Sequence, residues 1–578
     1  MTVHRPLFLA LALAALALVL LGCPTRPRCS AASCNGCCSE QGQCLVGTGQ
    51  GACGRSGAAC KACGVNEACV ATTGTCVGAM TGGGGAGTGG GTGGSGGGSG
   101  GMGVGGGGST GGGMAGGAAG GFVNPADVEG SCTQTWYTEI DGGARPCEFG
   151  MSVPQAIVFE DAGVLTISAT VRPDGTFTLP NVPQGLYYLR VGTSWFGTTE
   201  RRLSLDFESL GRVDTALAAA NTRLQLSVTN LSPWDEVGHF ASLYSPNAGA
   251  SLEAFDQATG IAPFDGDTNF TFTVPYDLYS QQLFTPLIDA TKGDVSYFTQ
   301  MGYDQVSGEY RTLAGGSSST LAVVSGQMNT TSVALSSPPA STTPLSIDQP
   351  SFTMHSSDFT PGTPTLGVEF STGPRAVHER TSDGFAFVWG FYPQMVTAPP
   401  NPVSYPNPFP ATWGTTVLVQ SGNVVSRTLP GSFEPRRLLS GVSVLLPIQA
   451  LASPVAATLS PPTNARINGM AFGTDLTGAT RTPTVTFGAP QLGQPNRYQL
   501  RIEQLTVSSS RTTGRTVANF SLPPTETSFT VPPNVLLTGS TYVFALSAIR
   551  NPGNPQRDIY DSRLPFTNAT IISGVIRP

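Results

Sequence analysis

The side chains most able to do chemistry are few. Of the four histidines, His4 precedes an apolar leader, which leaves His239, His355 and His378. His378-Glu379 could supply two parts of a triad with a distant Ser or Asp; an ordinary surface histidine is the reading we adopt. No His-Glu-x-x-His helix occurs, nor a Gly-x-Ser-x-Gly elbow between a strand and a helix, which removes the two commonest hydrolase signatures. Lys61 and Lys292 are the only lysines and neither follows a glycine, so a phosphate-cradling Gly-Lys-Ser/Thr loop is excluded. Asp265-Gly266-Asp267-Thr268-Asn269 spaces its oxygens as a calcium loop begins. It lacks the glycine at the sixth position and the acid at the twelfth, so it reads as a solvated turn before a strand at 269–274. Trp136, Trp195, Trp234, Trp389 and Trp413 could form a sugar-stacking platform or fill cores, and core is the reading that fits sandwiches. No catalytic, metal-binding or cofactor-binding residue is expected, and the chain reads as no enzyme.

What positions these residues begins with composition. Of 578 residues only 11% are charged, against about 25% in an ordinary soluble chain. Net charge is −7 and no dense basic patch exists, which argues against nucleic acid as a partner. Hydrophobic content of 39% is enough for real cores.

After His4 and Arg5 an unbroken apolar run extends from Leu7 to Leu21 and ends in Gly22-Cys23. A charged start and a short apolar run mark a secretory signal over 1–22, and the run is too short to span a bilayer comfortably. Leu20-Leu21-Gly22-Cys23 resembles the lipobox of bacterial lipoproteins. That resemblance implies a diacylglycerol on the Cys23 thiol, cleavage before it, acylation of the new amine (palmitate is the expected chain) and a lipidated tether over 23–28. Residue 24 is Pro rather than Asp, so the inner-membrane retention mark of the family is missing and the outer membrane is the expected address. Two or three acyl chains at ~0.8 kcal/mol per buried methylene would anchor the protein stably. An ordinary signal peptide with an incidental cysteine is the alternative. No later stretch could span a membrane, since Leu438–Leu459 is interrupted by Pro447 and Pro454.

Twelve of the thirteen cysteines remain after Cys23. Ten lie within 29–77 in two similar halves: Cys29, Cys34, Cys37, Cys38 and Cys44, then Cys53, Cys60, Cys63, Cys69 and Cys76. Each half is odd, so if all ten pair among themselves at least one bridge must join the halves; the connectivity is open. Cys34-x2-Cys37 and Cys60-x2-Cys63 also have zinc spacing, but the segment has no histidine and an oxidising compartment favours disulfides. A module of this size with few large apolar side chains needs such bridges. It resembles cysteine-rich modules of exported lipoproteins from social Gram-negative bacteria, a likeness that implies no chemistry. Over 78–121 the chain is low-complexity, with 27 Gly in the 41 residues 81–121, and reads as a disordered spacer reaching roughly 35 Å.

From 122 onward, alternating segments such as Arg202–Phe207, Arg223–Val228 and Asn269–Val274 sit between Gly, Pro, Asn and Asp. The expected class is all-β, with tandem β-sandwich domains. Asp174-Gly175-Thr176-Phe177-Thr178-Leu179, then Asn181-Val182-Pro183-Gln184-Gly185 and Leu186–Val191, resembles the carboxypeptidase regulatory-like, prealbumin-type sandwich. The resemblance implies a turn, strand, corner and strand in that order, with no peptidase activity. Phe177, Leu179, Tyr187 and Leu189 can face one core. This domain is placed at 122–215, with Cys132 and Cys147 bridged near its entry, a closure contributing about 3 kcal/mol. Over 461–578, Thr484–Phe487, Tyr498–Ile502, Thr527–Pro533 and Leu537-Thr538-Gly539-Ser540-Thr541-Tyr542 resemble a fibronectin type III-like sandwich, which implies a Tyr corner. The β-rich stretches 216–345 and 346–460 carry no family resemblance.

These readings combine into a non-catalytic surface lipoprotein, exported and held by its lipid at the outer membrane, with a structural or adhesive ectodomain. Its expected partners are the membrane and a surface polysaccharide or another envelope protein. A carbohydrate-binding adhesin is one alternative. A secreted hydrolase gathering His239, His355 or His378 with carboxylates in 216–460 is another.

Overall fold

The computed structural model describes short strands between 37 and 78, then 126–138, 143–149, 152–160, 163–253, 263–276, 285–354, 364–374, 386–392, 399–508 and 510–578. The expected signal over 1–22, Cys23, Cys29, Cys34, Cys63, residues 79–121 of the glycine tract, His355 and His378 lie outside the described residues. Among the described residues no helix is long and apolar enough to cross a membrane. The chain divides into a small cysteine-rich unit and a large β unit.

In the small unit, Cys37–Cys38 pairs antiparallel with Cys44–Leu45 and parallel with Ala58–Ala59. A disulfide joins Cys37 to Cys60, one cysteine from each half of the module.

The large unit is nearly all β, with a short helix at Gln349–Thr353, and two of its parts repeat one topology. In the first, Ala126–Ser131 lies between Thr176–Val182 (antiparallel) and Arg202–Ser204 (parallel). The opposing layer runs Gly163–Ser168, Gln155–Glu160, Tyr187–Val191, Ser194–Thr198. In the second, Arg223–Thr229 lies between Asn269–Pro275 (antiparallel) and Met328–Ala334 (parallel), opposite Ala250–Glu253, His239–Ser245, Ser296–Asp304 and Glu309–Ser318. Numbered in chain order, the strand connections are the same in both. Alternation explains the layers: Leu224, Leu226 and Val228 turn inward while Arg223, Gln225 and Ser227 turn outward.

Each half places an Asp-Gly turn before its fourth strand. Asp174 Oδ1 accepts the Thr176 N–H at 3.0 Å, and Gly175 adopts φ 80° where a side chain would strike the Cys132 carbonyl. Phe177, Leu179, Tyr187 and Leu189 all lie in the first sandwich's core. Cys132 and Cys147 are joined by a disulfide at its entry.

The remaining strands build a further large core that takes in residues on both sides of 460, from Leu345 to Ile576, together with Ile157, Tyr188, Trp195, Tyr244 and Tyr297 from the first two sandwiches, and a smaller cluster around Val425, Leu438, Leu505 and Ile572. At its end the Tyr542 hydroxyl accepts the Leu537 N–H at 2.8 Å, a tyrosine corner of the type found in Ig-like sandwiches.

The sandwiches are not beads on a string, because their edge strands hydrogen-bond to one another. One ladder runs from 250–253 through 239–245, 296–304 and 309–318 into 386–391, 365–373, 414–427 and 436–447. It continues through 566–577, 541–550, 497–508 and 511–522, then 194–198, 187–191, 155–160 and 163–168. With Leu476–Thr477 beside 566–577, the sheet has 17 strands. The joints at its flanks are short: Glu309–Arg311 with Trp389–Phe391, and Ser194–Phe196 with Asn519–Ser521.

The last module also completes the first. Between strands 541–550 and 566–577 the chain crosses to strand 202–204, where the Ser204 N–H donates to the Arg557 carbonyl and the Ile559 N–H donates to the Ser204 carbonyl. Ile559 is buried in the first sandwich's core, and Tyr560 meets Phe196 and Phe207 edge-on. Ile559→Ala is therefore expected to cost roughly 2–5 kcal/mol. The loss should appear as faster amide exchange in strands 126–131 and 187–191, although the substitution lies in another module. Unchanged exchange there would show that the insertion contributes nothing.

Candidate functional site

His239 opens strand 239–245, and its Nδ1 accepts the Asp235 N–H at 2.9 Å with Gln300 Nε2 at 3.2 Å. Its ring meets Trp234 edge-on, and burial lowers its pKa from the ordinary value. The imidazole thus holds a turn.

The Asp265–Asn269 segment is built as a turn. Asp265 Oδ1 accepts the Glu236 N–H, Asp267 Oδ2 accepts the Phe264 N–H, Asn269 Oδ1 accepts the Asn230 N–H, and Gly266 has φ 85°. These oxygens are spent on backbone donors. No cluster of three or more His, Cys, Asp or Glu suited to a metal occurs among the described residues.

Four tryptophans, Trp195, Trp234, Trp389 and Trp413, are core residues. Trp389 is fully buried and its Nε1 donates to Glu309 Oε1 at 2.7 Å. Trp136 alone is half-buried on a small sheet, with the Arg145 guanidinium 5.0 Å above its ring.

Two arginines that sequence reasoning did not single out, Arg212 and Arg201, are tied into the fold. Arg212, in the link between the first two sandwiches, makes a bidentate pair with Asp294, Nε to Oδ1 and Nη2 to Oδ2, each 2.7 Å. Asp294 is buried, and its Oδ2 also accepts the Asp289 N–H. Asp214 bridges Arg212 Nη1 and Lys292 Nζ, both at 2.6 Å, and the Lys292 bond, then the Arg212 bond, hold its carboxyl below the usual range. Arg201 donates to the Val182 and Pro183 carbonyls and lies over Tyr187, which fixes the Asn181–Gly185 corner.

Among the described residues the most perturbed carboxyl is Glu369, on strand 365–373. It is 2% exposed, the Tyr392 hydroxyl donates to its Oε1, and its Oε2 has no partner among the described residues. Burial pushes it up to about 7, opposed by the Tyr392 bond. The room for Tyr392 comes from glycine: a Cβ on Gly367 would lie 3.0 Å from its ring. Tyr310 meets Tyr392 edge-on and stacks on Tyr303 at 4.2 Å. Sequence gave one signal for this group, a lone carboxylate at a strand position flanked by Val368 and Phe370.

No protein-family model matches the chain. No curated protein sequence matches it either. Among solved structures, the chain is similar to the FN1–FN3 domains of chicken CNTN1 at 9% identity, covering 63% of this chain and 99% of that one, with a TM-score of 0.12. It is similar to a streptococcal ancillary pilin at 9% identity, covering 55% and 95%, with a TM-score of 0.10. A tetra-tandem repeat from the extending region of a large adhesion protein aligns at 11% identity, covering 77% and 99%, with a TM-score of 0.11. Scores this low carry no argument about this chain, whose fold class rests on its own strands.

Proposed function

We propose that the chain is a non-catalytic, lipid-anchored ectodomain at the cell surface, with a structural or adhesive role. The observation that carries this reading is the use made of most reactive side chains among the described residues. Asp174, Asp265, Asp267 and Asp304 cap turns, Asp294 and Glu503 pair with Arg212 and Arg436, and His239 accepts a backbone N–H. Groups committed to holding a β scaffold are not poised to turn over a substrate. The Leu20–Cys23 lipobox supports the anchor, with the outer membrane as its address and Cys23 as its lipidated residue. The sandwich of 126–204 is compatible with the prealbumin-type reading of 122–215, the 216–345 stretch shares its strand connections, and the Tyr542 corner supports a fibronectin type III-like C-terminal domain. The expected partners are the membrane and a surface polysaccharide or envelope protein.

Proteinase K applied to intact cells tests the placement. Cleavage in the 81–121 spacer should release a fragment beginning near residue 122 while cytoplasmic proteins survive. Complete protection of the chain until the outer membrane is opened would contradict surface exposure.

A further inference from the structure

The long ladder ends in two edge strands, and they differ. Ala250–Glu253 is short, with Ala250 and Leu252 buried. Gly163–Ser168 pairs with Gln155–Glu160 over six residues without a bulge, and no described strand pairs with its outer side. It is open to solvent along its length, Val164 being 43% and Leu165 37% exposed, next to an exposed Phe159. Soluble sheets guard such edges with Lys, Pro, inward charges or bulges. Gly-Val-Leu-Thr-Ile-Ser has none of these.

The protein itself shows how its edges are closed. At two flanking joints, edge strands meet over three residue pairs, one of them backed by Trp195 on Phe520 at 5.4 Å between rings. The Gly163–Ser168 edge offers the same kind of surface, and it is uncharged and complementary to itself. Side chains opposite each other in an antiparallel ladder share a face, so a two-fold axis perpendicular to the sheet must pass through a residue. Centred on Leu165, it would set Ile167 against Gly163 and leave a gap. Centred on Thr166, it sets Leu165 of each copy against Ile167 of the other, on the face that packs over the first sandwich's core, with Val164 against Ser168 and the two Thr166 side by side.

We propose that strand Gly163–Ser168 is a self-association edge. It pairs antiparallel with the same strand of a second copy about Thr166 and carries the ladder across two molecules.

Single cysteines in the full-length protein on cells test both the pairing and its register. Thr166→Cys faces itself across the axis at a Cα spacing a disulfide accepts, and it should give a dimer of doubled mass on non-reducing gels. Val164→Cys faces Ser168 and should give little. Adding Leu165→Lys to Thr166→Cys should abolish the cross-link; the exposed position keeps the fold, which unchanged protease resistance of the β unit checks. The detergent-solubilised wild type should sediment as a dimer and Leu165→Lys as a monomer. Cross-linking of Thr166→Cys no greater than of Val164→Cys, or a wild type that sediments as a monomer, would overturn the proposal. Capture of a different protein by Thr166→Cys would overturn it as well.

Discussion

Replacing Arg212 with alanine is expected to destabilise the second sandwich by roughly 3–5 kcal/mol, the cost of leaving a buried carboxylate without its partner. Asp294 has a fully buried side chain and receives two guanidinium N–H groups from Arg212. With the guanidinium gone, its remaining donor is the Asp289 N–H. Lys292 and Asp214 are half exposed and contribute little by themselves. Arg212→Ala with Asp294→Asn should therefore be milder than Arg212→Ala alone, since the double variant buries no charge. Amide exchange over 286–294 is the direct readout. A single variant costing under about 1 kcal/mol, or a double variant costing the sum of two singles, would show that the pair is not coupled.

The second large effect is a pH dependence seated at Glu369. Its folded-state pKa of about 7 stands above the ordinary 4.5, so between those values the folded chain holds a proton that the unfolded chain has released. The contribution of this group is fully present below about pH 4.5 and is lost as pH rises through about 7. The difference is on the order of 3 kcal/mol. Glu369→Gln keeps the shape and an oxygen for the Tyr392 hydroxyl but cannot ionise. It should match wild type near pH 4 and exceed it near pH 8, with the pH slope between 4.5 and 7 removed. Parallel stability curves for the two proteins would contradict a buried, neutral Glu369.

The sheet character, the turns and the inward positions were legible in the sequence because each has a local cause. Asp174-Gly175 followed by Thr-Phe-Thr-Leu states a turn and a two-sided strand in six residues. The same cue recurs at Asp265–Val274, the one signal from which the second sandwich's shared topology could have been read. The joints between modules were not legible. Ser194–Phe196 meets Asn519–Ser521 through main-chain groups that every residue carries, and no side-chain pattern marks such a pairing. Ile559 sits among Asn, Pro, Gly and Asp, a composition that reads as an exposed loop, yet it enters a core. The candidate sites were sought among histidines and tryptophans. Arg212 and Glu369 owe their positions to burial, which depends on residues distant in the chain.

The proposed lipid anchor at Cys23 is tested most directly by mass spectrometry of the N-terminal peptide of the native protein. A peptide beginning at Cys23 and carrying a diacylglyceryl thioether, with or without an acylated amine, is the predicted result. An unmodified Cys23, or a chain that retains residues 1–22, would contradict it.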